Sequence, residues 1–228
     1  MRPIVFSFPT ITANEICATQ TTTATSAALI INGSLSNIAI KNGQGYSPQA
    51  VAPGVQRPVA VFSTGNISTS TFTISGFDCR ATGVLSTTIA GPTGLAVPVQ
   101  TVTEFNRITA VSVGILASSS FTVGFGPSGT TNWVNPSKAV NPFNVTISVT
   151  VSTGVPITIQ DTPLDLNQTV PTAAFTFNHS TLATVTVSAQ SNYTLPVSYM
   201  RAICTATLNT ASAALATSAP SVTFIQAG

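Results

Sequence analysis

The sequence predicts an all-β protein: two β-sandwich or jelly-roll-like domains, related by internal duplication, behind an extended N-terminal arm. Three observations predict it. Apolar residues recur at every second position, as on a half-buried strand. No stretch joins i, i+3, i+4 apolar spacing to a supply of Glu, Lys, Leu or Arg, so helical signals are poor. Finally, 15 Gly and 15 Pro punctuate the short segments at fairly even spacing, as in sandwiches and jelly rolls.

Along the chain, residues 1–27 read as the arm. Pro3 and Pro9 interrupt its short apolar stretch, and it ends in the Thr-rich CATQTTTATSAA. STFTIS at 70–75 is the first clear strand. GFGPSGTTNWVNPSKAVNPFN, 124–144, concentrates Gly, Pro, Asn and Ser and holds the single Trp, which marks a connection between domains. The N-terminal sandwich is therefore expected over 28–130 and the C-terminal one over 131–228, each near the usual domain size of roughly 100 residues. Beyond the boundary, NVTISVTVS at 144–152 places Val145, Ile147, Val149 and Val151 on one face and Thr146, Ser148, Thr150 and Ser152 on the other. PITIQ (156–160), AFTF (174–177), TLATVTVS (181–188) and SVTFIQ (221–226) show the same period, while ASAALATSA (211–219) reads as a loop.

An echo suggests the duplication, with convergence of strand grammar on similar turns as the alternative. FNRITAVSVGILASSSFTVGFG, 105–126, and VSYMRAICTATLNTASAALATSAPSVTFIQAG, 197–228, each run from an aromatic through Arg and Ile to an alternating stretch, a Ser/Ala/Thr connection and a final strand closing on Gly. Each is expected to be the closing hairpin of its domain.

Composition limits function. Charged residues make up 5% of the chain, against about 25% in an ordinary soluble domain. Ser, Thr, Asn and Gln take their place on the surface, with Thr well suited to a pleated sheet. Seven Lys/Arg against five Asp/Glu leave a net charge of +2 without any basic run. Nucleic-acid binding draws on clustered phosphate contacts, so no nucleic-acid partner is expected. No run approaches the roughly 18 apolar residues of a membrane-spanning helix, and no signal peptide is recognisable, so no membrane partner and synthesis in the cytosol are expected. Cys17, Cys79 and Cys204 are far apart and lack Cys-x-x-Cys spacing. They read as reduced thiols, with one disulfide as the lesser alternative.

Candidate chemistry is sparse. GFGPSG, Gly124–Gly129, fits Gly-x-Gly-x-x-Gly, but TTNWVNP cannot start the helix a dinucleotide site needs, and the next acid is Asp161. His179 is the single histidine, so any Ser/His/Asp or Cys/His scheme runs through it with Asp161 or Asp165 as orienter; no nucleophile-elbow motif accompanies it. Glu15, Asp78, Glu104, Asp161 and Asp165 are the carboxylates available for a glycosidase pair, but a chain with one Trp and three Tyr lacks the aromatic cleft such enzymes use. No metal-ligand cluster is legible. Asn-x-Ser/Thr sequences at Asn32, Asn66, Asn144, Asn167, Asn178 and Asn192 arise readily in a chain this rich in Ser and Thr. Neither an enzyme nor a cofactor is expected, and no catalytic or metal residue is assigned.

The run TVTEFNRITAVSVGILASSSFTVGFG, 101–126, resembles a pattern recurrent in structural proteins of tailed bacteriophages, where a Phe-x-x-Ile/Val-x-x-Val strand leads to a terminal Val-Gly. NPFNVTISVTVSTGVPITIQDTP, FTFNHSTL, LPVSYMRAICTATL and the final VTFIQAG are similar to that group in their order. The resemblance covers about residues 100–228; residues 1–100 share only composition. It implies a virion protein of the capsid decoration or cement type, assembled in the host cytoplasm, with the major capsid protein as partner and a homo-oligomeric state, trimer or dimer. Its mechanism would be mechanical: binding only the assembled lattice shifts the equilibrium from disassembly by mass action. The alternative is a phage tail or head-fibre protein with a receptor-binding role. A surface adhesin should carry an export signal.

Overall fold

A computed structural model describes residues 3–8, 13–21, 26–37, 40–41, 44–45, 49–51, 55–80, 83–94, 98–114, 119–136, 143–151, 155–166, 175–194, 196–206 and 219–226. Among them the protein is essentially all β, with several antiparallel sheets. The chain divides into two compact units. The N-terminal unit comprises Thr10–Gly129 with Thr207–Ala214, and the C-terminal unit comprises Met1–Pro9, Thr130–Ala206 and Leu215–Gly228.

Strand β1 (Ile4–Ser7) belongs to the C-terminal unit. The N-terminal unit then contains β2 (Cys17–Gln20), β3 (Ala27–Ala28), β4 (Ser36–Asn37), β5 (Ile40–Lys41), β6 (Gln44–Gly45), β7 (Gln49–Val51), β8 (Val55–Ser63), β9 (Thr71–Phe77), β10 (Leu85–Ala90), β11 (Val99–Phe105), β12 (Arg107–Val113) and β13 (Phe121–Phe125). One sheet has the order β2-β13-β8-β11; the other runs β10-β9-β12-β7-β4, with β3 also on β12. β5 and β6 form a separate two-stranded ribbon. The two larger sheets contribute to a single apolar cluster: Val59, Val61, Phe121, Val123 and Phe125 come from one, Phe72, Ile74, Ile108, Val111 and Val113 from the other. That shared cluster makes the unit a sandwich. A register shift between Ile108 and Ala110 lets Ile108 and Val111, three residues apart, both face inward.

The C-terminal unit contains β14 (Gly129–Thr131), β15 (Val145–Thr150), β16 (Ile157–Thr162), β17 (Phe177–Asn178), β18 (Ala189–Tyr193), β19 (Tyr199–Cys204) and β20 (Ser221–Gln226), β14 contributing Thr130 and Thr131. With β1 these give one sheet ordered β1-β20-β15-β18 and a row β17-β16-β19-β14. Val145, Ile147 and Val149 of β15 are buried, as their alternation demands.

The two units share one connectivity. Adding seven to a strand's number in the first unit gives its counterpart in the second. Thus β8–β13, β8–β11, β9–β10, β9–β12 and β12–β7 recur as β15–β20, β15–β18, β16–β17, β16–β19 and β19–β14. Each closing strand also receives an N-terminal edge strand, β2 on β13 and β1 on β20.

Three expectations need correction. The arm 1–27 is not an arm among its described residues: β1 and β2 are built into the two units, and Phe8, Glu15, Ile16 and Cys17 are buried. VFSF and ICAT carry strand alternation in pieces too short to show between their Pro and Thr neighbours. The paired closing segments are not hairpins, because β12 and β13 lie in different sheets, as do β19 and β20. Their apolar residues serve opposite walls of a core, and the connections exceed the two to five residues of a hairpin loop. TLATVTVS makes bends rather than a strand, with one bridge from Val185 to Ile157. Leu182 and Val185, three residues apart, are the positions it buries, and the strand follows at β18. Most of ASAALATSA lies outside the described residues.

Candidate functional site

The strongest concentration of charge is internal. Arg57 sits in β8 among Val55, Val59, Ala60 and Val61 and is 1% exposed. A cation that cannot shed its proton needs partners there. Its Nη1 lies 3.3 Å from Glu15 Oε1, with side-chain exposures of 1% and 6%. Its Nε donates to the Gly126 carbonyl at 2.9 Å and its Nη2 to that of Phe125 at 3.3 Å. The guanidinium carbon lies 5.3 Å from the centre of the Phe125 ring. Glu15 closes the arrangement by accepting the Phe125 N–H at 3.0 Å. Burial pushes the Glu15 carboxyl above its ordinary range; Arg57 and the Phe125 N–H pull it back only in part.

This centre explains the Gly-rich stretch. A Cβ on Gly129 would stand 2.6 Å from the Gln56 carbonyl oxygen and 3.1 Å from Arg57 Cγ; one on Gly126 would stand 2.7 Å from Gln100 Oε1 and 2.8 Å from Pro58 Cγ. GFGPSG is a backbone that passes tightly over β8 and supplies acceptors to Arg57.

The candidate catalytic residues meet only in part. His179 is buried, and its Nδ1 accepts the Thr181 N–H at 3.2 Å. Thr181 Oγ1 lies 3.3 Å from the same nitrogen but donates to Ser191 Oγ at 2.8 Å. The ring packs edge-on to Tyr193 at 4.6 Å between centres, and the Tyr193 hydroxyl donates to Asp161 Oδ1 at 2.9 Å. Burial first, then the Asp161 charge and hydrogen bond, drive the Tyr193 phenol well above its ordinary range. Tyr193 thus stands where a His–Asp hydrogen bond would have to be. The group joins β18, β16 and the 179–182 turn, and its hydrogen bonds hold them together. Among the described residues no group of three or more His, Cys, Asp or Glu could hold a metal ion. No disulfide joins the cysteines, and burial pushes the Cys17 thiol up to about 12. Asn32, Asn66, Asn144 and Asn178 each accept a hydrogen bond through their side chains, while Asn167 lies outside the described residues. No helix among the described residues is long and apolar enough to cross a membrane.

The feature suited to a partner is the outer face of β1-β20-β15-β18. Register puts Val5, Thr223, Ser148 and Gln190 in one row, Ser7, Ser221 and Thr150 in a second, and Ile225, Thr146 and Asn192 in a third. None of these ten positions is charged, and Val5 and Ile225 are exposed at 57% and 40%. The face offers hydroxyls, amides and two aliphatic side chains on a rigid sheet, so covering it strips water from no ion. The expectation of a Ser/Thr surface came from the sequence; its arrangement in rows, on this sheet and on the outer face of β10-β9-β12, where Thr88, Thr73 and Ser112 and then Ser86, Ser75 and Ala110 line up, did not, and neither did the Arg57–Glu15 pair.

No known protein family matches the chain, and no curated protein matches its sequence.

Proposed function

We propose that the protein is a structural component of a tailed-phage virion that docks on the outside of the shell and stabilises it by bridging neighbouring major capsid proteins. The observation that carries this reading is the uncharged outer face of β1-β20-β15-β18. The sequence resemblance supports it, since that sheet is drawn largely from the span the resemblance covers. A shell protein repeats one contact many times, so modest neutral contacts per copy suffice when copies and sites are held in a lattice. Two compact units in one chain suit the bridging role. The action is binding without chemistry: contact with the assembled lattice and none with free capsid protein lowers the free energy of the shell alone.

The test is a charge placed at the centre of the face. Ser148→Glu should reduce occupancy on purified shells about tenfold or more, the scale of a buried hot-spot loss. Thr88→Glu, at an exposed position of β10, serves as control and should bind as the parent does. Equal occupancy of the two variants would remove the face from the interface and the reading with it.

A further inference from the structure

The N-terminal segment supplies an edge strand to each unit, and it is attached to them differently. β2 runs directly into the rest of the N-terminal unit. β1, in contrast, is joined to the other strands of the C-terminal unit only through the whole span Thr10–Gly129. For that unit β1 is in effect a bound peptide. Four residue pairs, Ile4–Phe224 to Ser7–Ser221, hold it on β20. Phe6 meets Phe224 edge-on at 6.2 Å, and Phe8 is buried at 2% with its N–H donating to the Pro220 carbonyl at 2.8 Å. Neither β1 nor β20 carries a charge that would guard the edge or repel a like strand.

We infer that β1 is an exchangeable strand, which seats on β20 of a second copy of this chain when copies are held side by side. The occupant has the same sequence and brings the same Phe6 and Phe8 anchors to the same positions. Every ladder bond and ring packing broken within one copy is therefore re-formed between two, the general reason that swapping an identical element is a low-cost route to an oligomer. What decides the partner is then local concentration. Residues 9–14, between the anchored Phe8 and the buried Glu15, extend to at most about 20 Å, so a neighbour within that reach competes at the millimolar effective concentrations of a short tether. The inference rests on the multi-copy reading above for its setting, and it adds the contact by which adjacent copies lock to each other.

Two full-length chains test it, one carrying Val5→Cys and the other Thr223→Cys, outward-facing partners in the β1–β20 register. They are refolded together at high concentration and oxidised. A covalent heterodimer at least about tenfold above the control pair, Val5→Cys with Thr88→Cys, is expected. A heterodimer no more abundant than the control, while a chain carrying both substitutions closes on itself, would overturn the exchange. A doubly substituted chain that fails to close would overturn it as well, since β1 would then not lie on β20. Shells are absent from this test, so its failure leaves docking through the sheet face intact.

Discussion

The N-terminal and C-terminal units repeat one connectivity and finish the same end of it with different chemistry. Val59 lies opposite Phe125 in the first, and Val145 lies opposite Gln226 in the second. Two residues earlier in the chain stand Arg57, within β8, and Phe143, just before β15, both buried. One unit closes that end with a cation, a carboxylate and a tight glycine backbone; the other uses an aromatic ring and an amide. Alternation and pairing order therefore specify the sandwich, and the end of the core accepts either an ionic or a largely apolar solution. The cost differs: a buried ion pair loses hydration on both sides, and the raised Glu15 shows that the loss is not fully recovered.

The sharpest way to break the comparison is to remove one side of the pair. Glu15→Ala leaves Arg57 buried without its carboxylate and should cost about 3–5 kcal/mol. Hydrogen exchange resolved by peptide should place that loss in the N-terminal unit and leave β15, β16 and β20 protected. Loss of protection spread equally over both units would contradict a local role for the pair. Glu15→Gln keeps an acceptor for the Phe125 N–H but also leaves Arg57 without a counter-charge, and should cost less than alanine by about the 0.5–1.5 kcal/mol of one hydrogen bond.

Gly126→Ala comes next. The added Cβ meets Gln100 Oε1 and Pro58 Cγ, and overpacking of this kind costs about 1–3 kcal/mol. Thermal unfolding monitored on the N-terminal unit would show it. A Gly126→Ala chain as stable as the parent would mean that the tight passage over β8 is dispensable.

The smallest effect at neutral pH separates the units by titration. A Glu15 pKa raised in the fold means the folded state holds the proton more tightly. Its contribution is fully present below the ordinary 4.5 and is lost as pH rises through the raised value. Tyr193 follows the same sign in another window: its contribution is present below 10.0 and is lost in strong alkali. Tyr193→Phe should cost about 0.5–1.5 kcal/mol at neutral pH, one hydrogen bond, and should flatten the alkaline limb of the C-terminal unit alone. Glu15→Gln should flatten the acidic limb of the other. Denaturant unfolding across pH reads both, and an unchanged alkaline limb in Tyr193→Phe would sink the assignment.

Strands with uninterrupted alternation were legible. NVTISVTVS and SVTFIQ contain β15 and β20, and STFTIS and PITIQ hold most of β9 and β16, because alternate residues there are buried. Legibility failed where pairing supplied what pattern lacked. Ile4–Ser7 and Cys17–Gln20 are four residues each and become strands because a closing strand offers them an edge to pair with. TLATVTVS has the right period, yet the burial of Leu182 and Val185 takes precedence over it. Glu15 and Arg57 are 42 residues apart, so only the fold brings them together. An Arg inside VQRPVAVF was the available signal: a cation amid inward-facing aliphatics calls for an acid, and the chain has five. The uncharged face was half legible, as composition, while its arrangement in rows across paired strands required the register.

The reading of the protein as a shell component is tested most directly by its copy number in purified particles, measured by quantitative mass spectrometry against the major capsid protein. On the order of hundreds of copies, in a simple ratio to the capsid protein, is the predicted result for a subunit that follows the shell's symmetry. About a dozen copies or fewer would contradict it and would place the protein at a tail or vertex, with receptor binding as its role.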